Sequence, residues 1–300
     1  MLLWAPDRGW LKGGRETRIV AAFEFARKSK VGVSESLVLK CRDGNEYYVK
    51  FTNNQTGPTA LVAELVGYRL ARGLGLPVPE CDLVDVPAGF WDPEDGTAEK
   101  ITINGQPPAT GVQFGSKALG RSMDSVVAQS YLQQKADTGF PLADCIAFDL
   151  WTGNEDRCAN PGNFLICVGP DRATSFHMID HGHLFFGPGW TAKDLNERKV
   201  STNHPWGPIY DHFSRHVKGY APFEGILRKI EGYSAADLVS AVSDIPESWG
   251  LEKETADALV SFLAFRRAMV RDIIMSNRNH YREWVRPDEN LPNGNKLGAI

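Results

Sequence analysis

None of the five cysteines lies at Cys-x-x-Cys spacing from another, and their odd number leaves no complete pairing. This excludes a disulfide scaffold and a paired-thiolate metal knuckle. Free thiols in a reducing, cytoplasmic setting are the expectation. No apolar run approaches the ~20 residues that span a bilayer. The opening Met1-Leu2-Leu3-Trp4-Ala5-Pro6 is broken too soon for a signal peptide. A basic surplus is missing as well: net charge is −4, so nucleic acid is not expected as the main partner. No basic amphipathic helix marks the chain for a membrane surface. Internal repeats are absent, and so is any Gly-x-Gly-x-x-Gly stretch.

What is present suffices for a sizeable core. Of 300 residues, 42% are hydrophobic and 23% charged, which allows one large domain or two lobes without staples. Short β-like runs come first, at Thr17–Phe23 and Ser36–Lys40. An Asp43-Gly44 turn then leads to Tyr47–Phe51. Leu61, Leu65 and Leu70 recur at helical spacing over Thr59–Gly73, and Gly73 and Gly75 end the helix. Strands are expected at Cys81–Val86, Lys100–Ile103 and Gly111–Gly115. Helices are expected at Ser122–Ala136, Pro141–Gly153, Tyr233–Val242 and Glu252–Asn277. Trp190–Tyr220 reads as irregular. Strands first and helices later make an α+β chain, with a small sheet-rich lobe and a larger helical one. The boundaries are 1–115 and 116–285, with a hinge near Gly115–Leu119 and a flexible tail at 286–300.

The segment from Asn154 to Gly182 carries the chemistry. Asn154-Glu155-Asp156-Arg157 is followed by Asn160-Pro161-Gly162-Asn163 at the mouth of the apolar run Phe164–Val168, then by Met178-Ile179-Asp180-His181-Gly182. This order has the shape of a catalytic loop plus a metal-binding Asp in a kinase-like phosphotransferase. Asp156 is the candidate to orient an acceptor hydroxyl and take its proton. Arg157 can steady the loop or contact phosphate. Asn163 and Asp180 supply hard oxygen ligands for Mg²⁺. Asn160 competes for the Asn role; it also suits a plain turn before Pro161-Gly162.

A second piece lies upstream. Lys50 sits in an apolar strand and Glu64 on the following helix, the arrangement that holds nucleotide phosphates in kinase-like folds. The bland alternative is a lysine that snorkels to water from a strand edge. Gly32-Val33-Ser34-Glu35-Ser36 can cover phosphates through Ser34 and Ser36, or be an ordinary turn. Either serine is also a candidate autophosphorylation switch. His177, His181 and His183 crowd around Asp180 and would share one face of a strand, which raises a zinc site as a weaker reading. The apolar positions of Leu259–Ile274 read as core packing.

Taken together, these residues resemble the HipA-like kinases, toxin kinases distantly related to protein and phosphatidylinositol kinases. The match runs over roughly residues 30–275. It rests on Tyr48-Val49-Lys50-Phe51, on Ala63-Glu64-Leu65 through Leu74-Gly75-Leu76-Pro77-Val78-Pro79, on the Asp156 and Asn163 motif, and on Ile179-Asp180-His181-Gly182. The resemblance implies a protein-kinase-like fold with Lys50 on ATP phosphates, Glu64 as its partner, Asp156 as base, and Asn163 with Asp180 on Mg²⁺. It also implies that Gln113, Phe114 and Gly115 read adenine through backbone groups. Two departures stand out. HipA itself has an extra N-terminal subdomain, whereas only about thirty residues precede the match here. This resembles a short, core-only member, which weakens the expectation of an antitoxin-like regulator. Asn163 also lies seven positions after Asp156, where kinases commonly use about five.

The expected activity is ATP- and Mg²⁺-dependent phosphorylation of a protein Ser or Thr. A lipid or small-molecule acceptor is the alternative within enzymes. A catalytically inactive binding module is the alternative outside them.

Overall fold

Five strands early in the chain close into a barrel. They are β1 (Ile19–Lys28), β2 (Leu37–Cys41), β3 (Glu46–Lys50), β4 (Cys81–Val86) and β5 (Gly111–Lys117), in the order β1-β2-β3-β5-β4. The computed structural model describes residues 17–29, 36–91, 101–120, 140–168, 174–281 and 284. Ser34, the expected helix at 122–136 and the tail at 286–300 lie outside the described residues. Closure comes from a parallel pairing of β1 with β4, Ile19 opposite Leu83, while the other ladders are antiparallel. A closed barrel leaves no open edge to pair with another chain. The β2–β3 hairpin turns at Gly44, whose φ of 81° suits glycine. Val20, Leu39, Tyr47, Val49, Phe51 and Val84 fill the interior.

Helix α1 (Pro58–Gly73) joins the barrel to the rest. Pro58 occupies its first turn, where a missing N–H costs nothing. Gly75, at φ 75°, follows its end, and Leu76 N donates back to Ala71 O at 2.9 Å. Residues Ala60 to Tyr68 are all buried, so the helix is surrounded rather than laid on a surface. Its side chains share one core with α2 (Leu142–Thr152), α5 (Glu224–Glu231), α6 (Ala235–Val242), α7 (Lys253–Ala268) and α8 (Val270–Ser276). Between α2 and α5 lie the β6–β7 hairpin (Phe164–Val168, Thr174–Met178) and the short helices α3 (Ala192–Arg198) and α4 (Pro208–Phe213).

Several expectations shift. Trp190–Tyr220, read as irregular, contains α3 and α4. Helix α3 opens on a reciprocal Thr191–Asp194 capping box, and α4 has Pro208 in its first turn. The apolar repeat through 252–277 is two helices, because Met269 leaves helical geometry at φ −101°, ψ 3°. Of the strand expected at Lys100–Ile103, an isolated Ile103–Gln106 bridge is observed. No helix among the described residues is long and apolar enough to cross a membrane.

Close approach of α1 to the segment after β7 depends on Gly67. A Cβ there would stand 2.6 Å from Leu184 Cδ1 and 2.7 Å from His181 Cβ. Gly67→Ala is therefore expected to lower unfolding free energy by about 1–3 kcal/mol through overpacking, despite alanine's better helix propensity. Urea denaturation checks this; a stabilised variant would show that the contact relaxes freely.

Candidate active site

Lys50, the last residue of β3, points at two carboxylates. Its Nζ donates to Glu64 Oε1 at 2.5 Å and to Asp180 Oδ1 at 2.7 Å. Glu64 is 2% exposed and accepts two further bonds, from the His181 N–H at 2.9 Å and the Gly182 N–H at 3.0 Å. Three donor contacts satisfy a carboxylate that burial would otherwise penalise heavily. Burial works against the Lys50 charge, but Asp180 and Glu64 outweigh it and hold the ammonium above its ordinary range. Burial likewise pushes Asp180 upward, and Lys50 reverses the sign, keeping it ionised well below the usual carboxylate value. Asp180 itself takes φ 57°, a costly conformation for a residue with a Cβ.

The catalytic-loop candidates assemble beside this cluster. Asn163 Nδ2 donates to Asp156 Oδ2 at 2.7 Å, and Asn160 Nδ2 reaches the same oxygen at 3.4 Å. The two extra residues are absorbed by a 3₁₀ turn, Pro161–Asn163. Asn160 caps that turn through Gly162 N at 2.9 Å. Asn163 then continues the β6–β7 ladder: its carbonyl accepts the Ile179 N–H at 3.0 Å, one residue from Asp180. With Nδ2 committed to Asp156, the Asn163 Oδ1 is the atom left to meet a cation.

Arg157 points the other way. It is fully buried, paired with Asp149 on α2, and donates to the carbonyls of Ile179 at 3.0 Å and Asp180 at 3.3 Å. Of the two roles open to it, steadying the loop is the one this geometry fits. Asp149 also accepts from Tyr210 and, at 3.0 Å, from Asn154 Nδ2. Asn154 Oδ1 accepts the Asp156 N–H at 3.1 Å, folding the loop into an Asx turn directly after the α2 cap at Gly153. Asp149 and Tyr210 were not legible as site residues. A buried Asp mid-helix, eight positions before an Arg, was the available signal.

The backbone at Gln113–Gly115, expected to read adenine, lies within strand β5. Phe114 and Gly115 lie in register with β3 on one side and β4 on the other, so the ladder flanks them on both edges. Gln113 is buried, its Oε1 accepting from Thr52 N at 2.8 Å and its Nε2 donating to Thr110 O at 3.0 Å. The chain leaves the sheet only after Ala118, whose N–H still reaches Glu46 O at 2.8 Å. Ser36 is buried just before β2, and its carbonyl accepts the Ser29 N–H at 2.9 Å. The histidines do not share a strand face, because β7 ends at Met178. His177 contacts Ser175, while His181 packs edge-on against Phe148. Among the described residues no group of three His, Cys, Asp or Glu side chains could hold a metal ion.

A model of the family described as HipA-like kinase matches residues 22–284. This chain belongs to the HipA-like kinases. No curated protein matches it. The solved structure of the Helicobacter pylori proinflammatory kinase CtkA is similar, with a TM-score of 0.58 at 14% identity over 87% of this chain and 97% of that one. Hydra Fam20 follows with a TM-score of 0.43 at 14% identity, covering 90% of each chain. A Golgi casein kinase has a TM-score of 0.40 at 12% identity, over 87% of this chain and 74% of that one. The CtkA likeness speaks to fold alone, and that fold is α+β and kinase-like. As a HipA-like kinase the protein is a phosphotransferase.

The buried ionisable groups around this candidate site carry two testable consequences. Asp149→Ala strands the Arg157 guanidinium and is expected to cost about 3–5 kcal/mol. Tyr210→Phe removes one bond and should cost about 1–2 kcal/mol. Urea titrations separate the two, and equal small losses would contradict the network. Burial, reinforced by the positive Arg266, depresses His204 from its ordinary 6.5 to about 4. Burial also holds His181 well below 6.5. Both are neutral in the fold and take up protons on unfolding. Stability should therefore rise with pH between about 4 and 6.5 and level off above, by roughly 1 kcal/mol per histidine and pH unit. Melting between pH 7 and 5 tests the sign, and His204→Gln should flatten the slope.

Proposed function

We propose that this HipA-like kinase transfers the γ-phosphoryl group of ATP, with Mg²⁺, to a hydroxyl, and that its acceptor is a protein Ser or Thr. One observation carries the reading. Lys50 is held between Glu64 and Asp180, while the Asn163–Ile179 backbone bond sets Asp156 beside them.

The residues suit such ligands. Asp180 and the Asn163 Oδ1 are hard oxygen donors, and Mg²⁺ takes few protein ligands because phosphates and waters complete its shell. Lys50, kept charged by its two carboxylates, is assigned to the α/β-phosphates. Ser34 and Ser36 are assigned to the phosphates on the sequence pattern alone. Held there, Mg²⁺ would supply charge neutralisation on the transferring phosphoryl oxygens. Asp156 has one carboxylate oxygen tied by Asn163 and Asn160, so the other orients the acceptor hydroxyl and accepts its proton. Arg157 acts through position, holding the Ile179–Asp180 backbone against the loop. Catalysis is then mostly placement and preorganised charge.

The test is incubation with γ-labelled ATP and Mg²⁺ in a cell extract, followed by separation into protein, lipid and small-molecule fractions. Label in protein is expected, falling at least about 10²-fold in Asp156→Asn. Lys50→Met should lose the thermal shift given by MgATP, which Asp156→Asn keeps. Asp156-dependent label in lipid or small molecules would move the acceptor. Asp156-independent label would overturn the assignment.

A further inference from the structure

The turn that follows Asp180-His181-Gly182 is costly to hold. Phe185, Phe186 and Gly187 take consecutive positive φ values of 63°, 70° and 102°. Non-glycine residues adopt that region only when the surroundings force it. The pins are visible. Phe185 N donates to Thr152 O at 2.9 Å and Phe186 N to Gly153 O at 2.8 Å, so the turn lies on the end of α2 where the catalytic loop begins. Phe186 also meets Phe262 edge-on, with ring centroids 5.8 Å apart.

Arg198 closes this arrangement. It is the last residue of α3, a helix whose start is set by the Thr191–Asp194 capping box. Its Nη1 donates to Phe186 O at 2.8 Å and its Nη2 to Glu155 Oε1 at 2.7 Å. Its guanidinium carbon stands 4.2 Å from the Phe186 ring centroid. Glu155 is the immediate neighbour of Asp156. The Arg198 and Glu155 side chains are 43% and 32% exposed, so as an ion pair alone the contact contributes little to stability. Its value is geometric: a planar fork and a stacked face meet three groups at once, which an ammonium cannot do.

We propose that Arg198 is a positioning residue for phosphoryl transfer, bridging the Phe185–Gly187 turn to Glu155 and thereby setting Asp156 relative to Asp180. The bridge rests on the assignment of Asp156 and Asp180 given above. It is separate from the Lys50–Glu64–Asp180 cluster, so its loss should misplace the acceptor side of the site and spare the nucleotide side.

The test compares unmutated protein with Arg198→Met, Arg198→Lys, Glu155→Gln and Asp156→Asn. Amide hydrogen exchange at Phe185 and Phe186 reads the bridge directly. Label transfer from γ-labelled ATP in cell extract reads its consequence, alongside the thermal shift given by MgATP. Arg198→Met should speed exchange at both amides and cut the transfer rate about a hundredfold, as a misplacement of about 1 Å can. The KM for ATP should stay within about twofold, since nucleotide binding is not what was lost. Arg198→Lys and Glu155→Gln should fall between Arg198→Met and the unmutated protein. Unchanged exchange, or unchanged transfer, overturns the bridge. So does a transfer loss that merely tracks unfolding, with Arg198→Lys no better than Arg198→Met. If Asp156→Asn transfers as well as the unmutated protein, the site assignment fails instead, and the exchange data still report on the bridge.

Discussion

The Glu64 carboxylate is the interaction on which the arrangement depends. It is buried in the middle of α1, a position that suits an apolar residue better. It is tolerable there because Lys50 and the backbone N–H groups of His181 and Gly182 all donate to it. Those donors come from two places, the end of β3 and the segment after β7, and meet the carboxylate on helix α1. One carboxylate therefore ties the barrel to the metal-binding candidate Asp180. Removing any donor would leave a buried charge short of partners, which is why these elements cannot drift independently.

A second buried charge does the same for the candidate catalytic loop. Asp149 and Arg157 are both fully buried, with Asn154 and Tyr210 completing the carboxylate's partners. Arg157 extends the network to the carbonyls of Ile179 and Asp180. The two networks thus meet at the same short segment, Glu64 through its N–H groups and Arg157 through its carbonyls. Satisfied polar networks of this kind rigidify and specify a single arrangement more than they add net stability. Rigidity is what placement-driven phosphoryl transfer requires.

Local punctuation supplies the remaining precision. Gly153 ends α2 in the left-handed region and hands the chain to the Asn154 turn. The 3₁₀ turn at Pro161–Asn163 takes up the longer spacing without separating Asn163 from Asp156. The irregular region after Asp180 is held by bonds to the end of α2 and by Arg198.

Much of this was legible before any coordinates. Strand Cys81–Val86 and strand Phe164–Val168 fall where apolar runs and turn residues placed them, and α1 begins within a residue of its expected start. Lys50, Glu64, Asp156, Asn163 and Asp180 were candidates by residue type and order, and the fold brings Lys50 to Glu64 and Asp180 and Asn163 to Asp156. Helices α3 and α4 were missed because they are short, and their cap signals were hidden in an aromatic, proline-containing stretch. That Phe114 and Gly115 lie between two neighbouring strands was not legible, because a strand's neighbours are set by barrel closure, which no local pattern reports. Partners such as Glu64 and His181, 117 residues apart, or Arg198 and Glu155, 43 apart, are likewise invisible to periodicity. The sequence by itself determined the family resemblance, the candidate residues and most of the longer strands and helices, because short-range sterics and hydrophobic spacing act locally. Only the tertiary structure decided which charge each of those residues meets, because burial removes water as a partner and leaves only the groups that folding brings within reach.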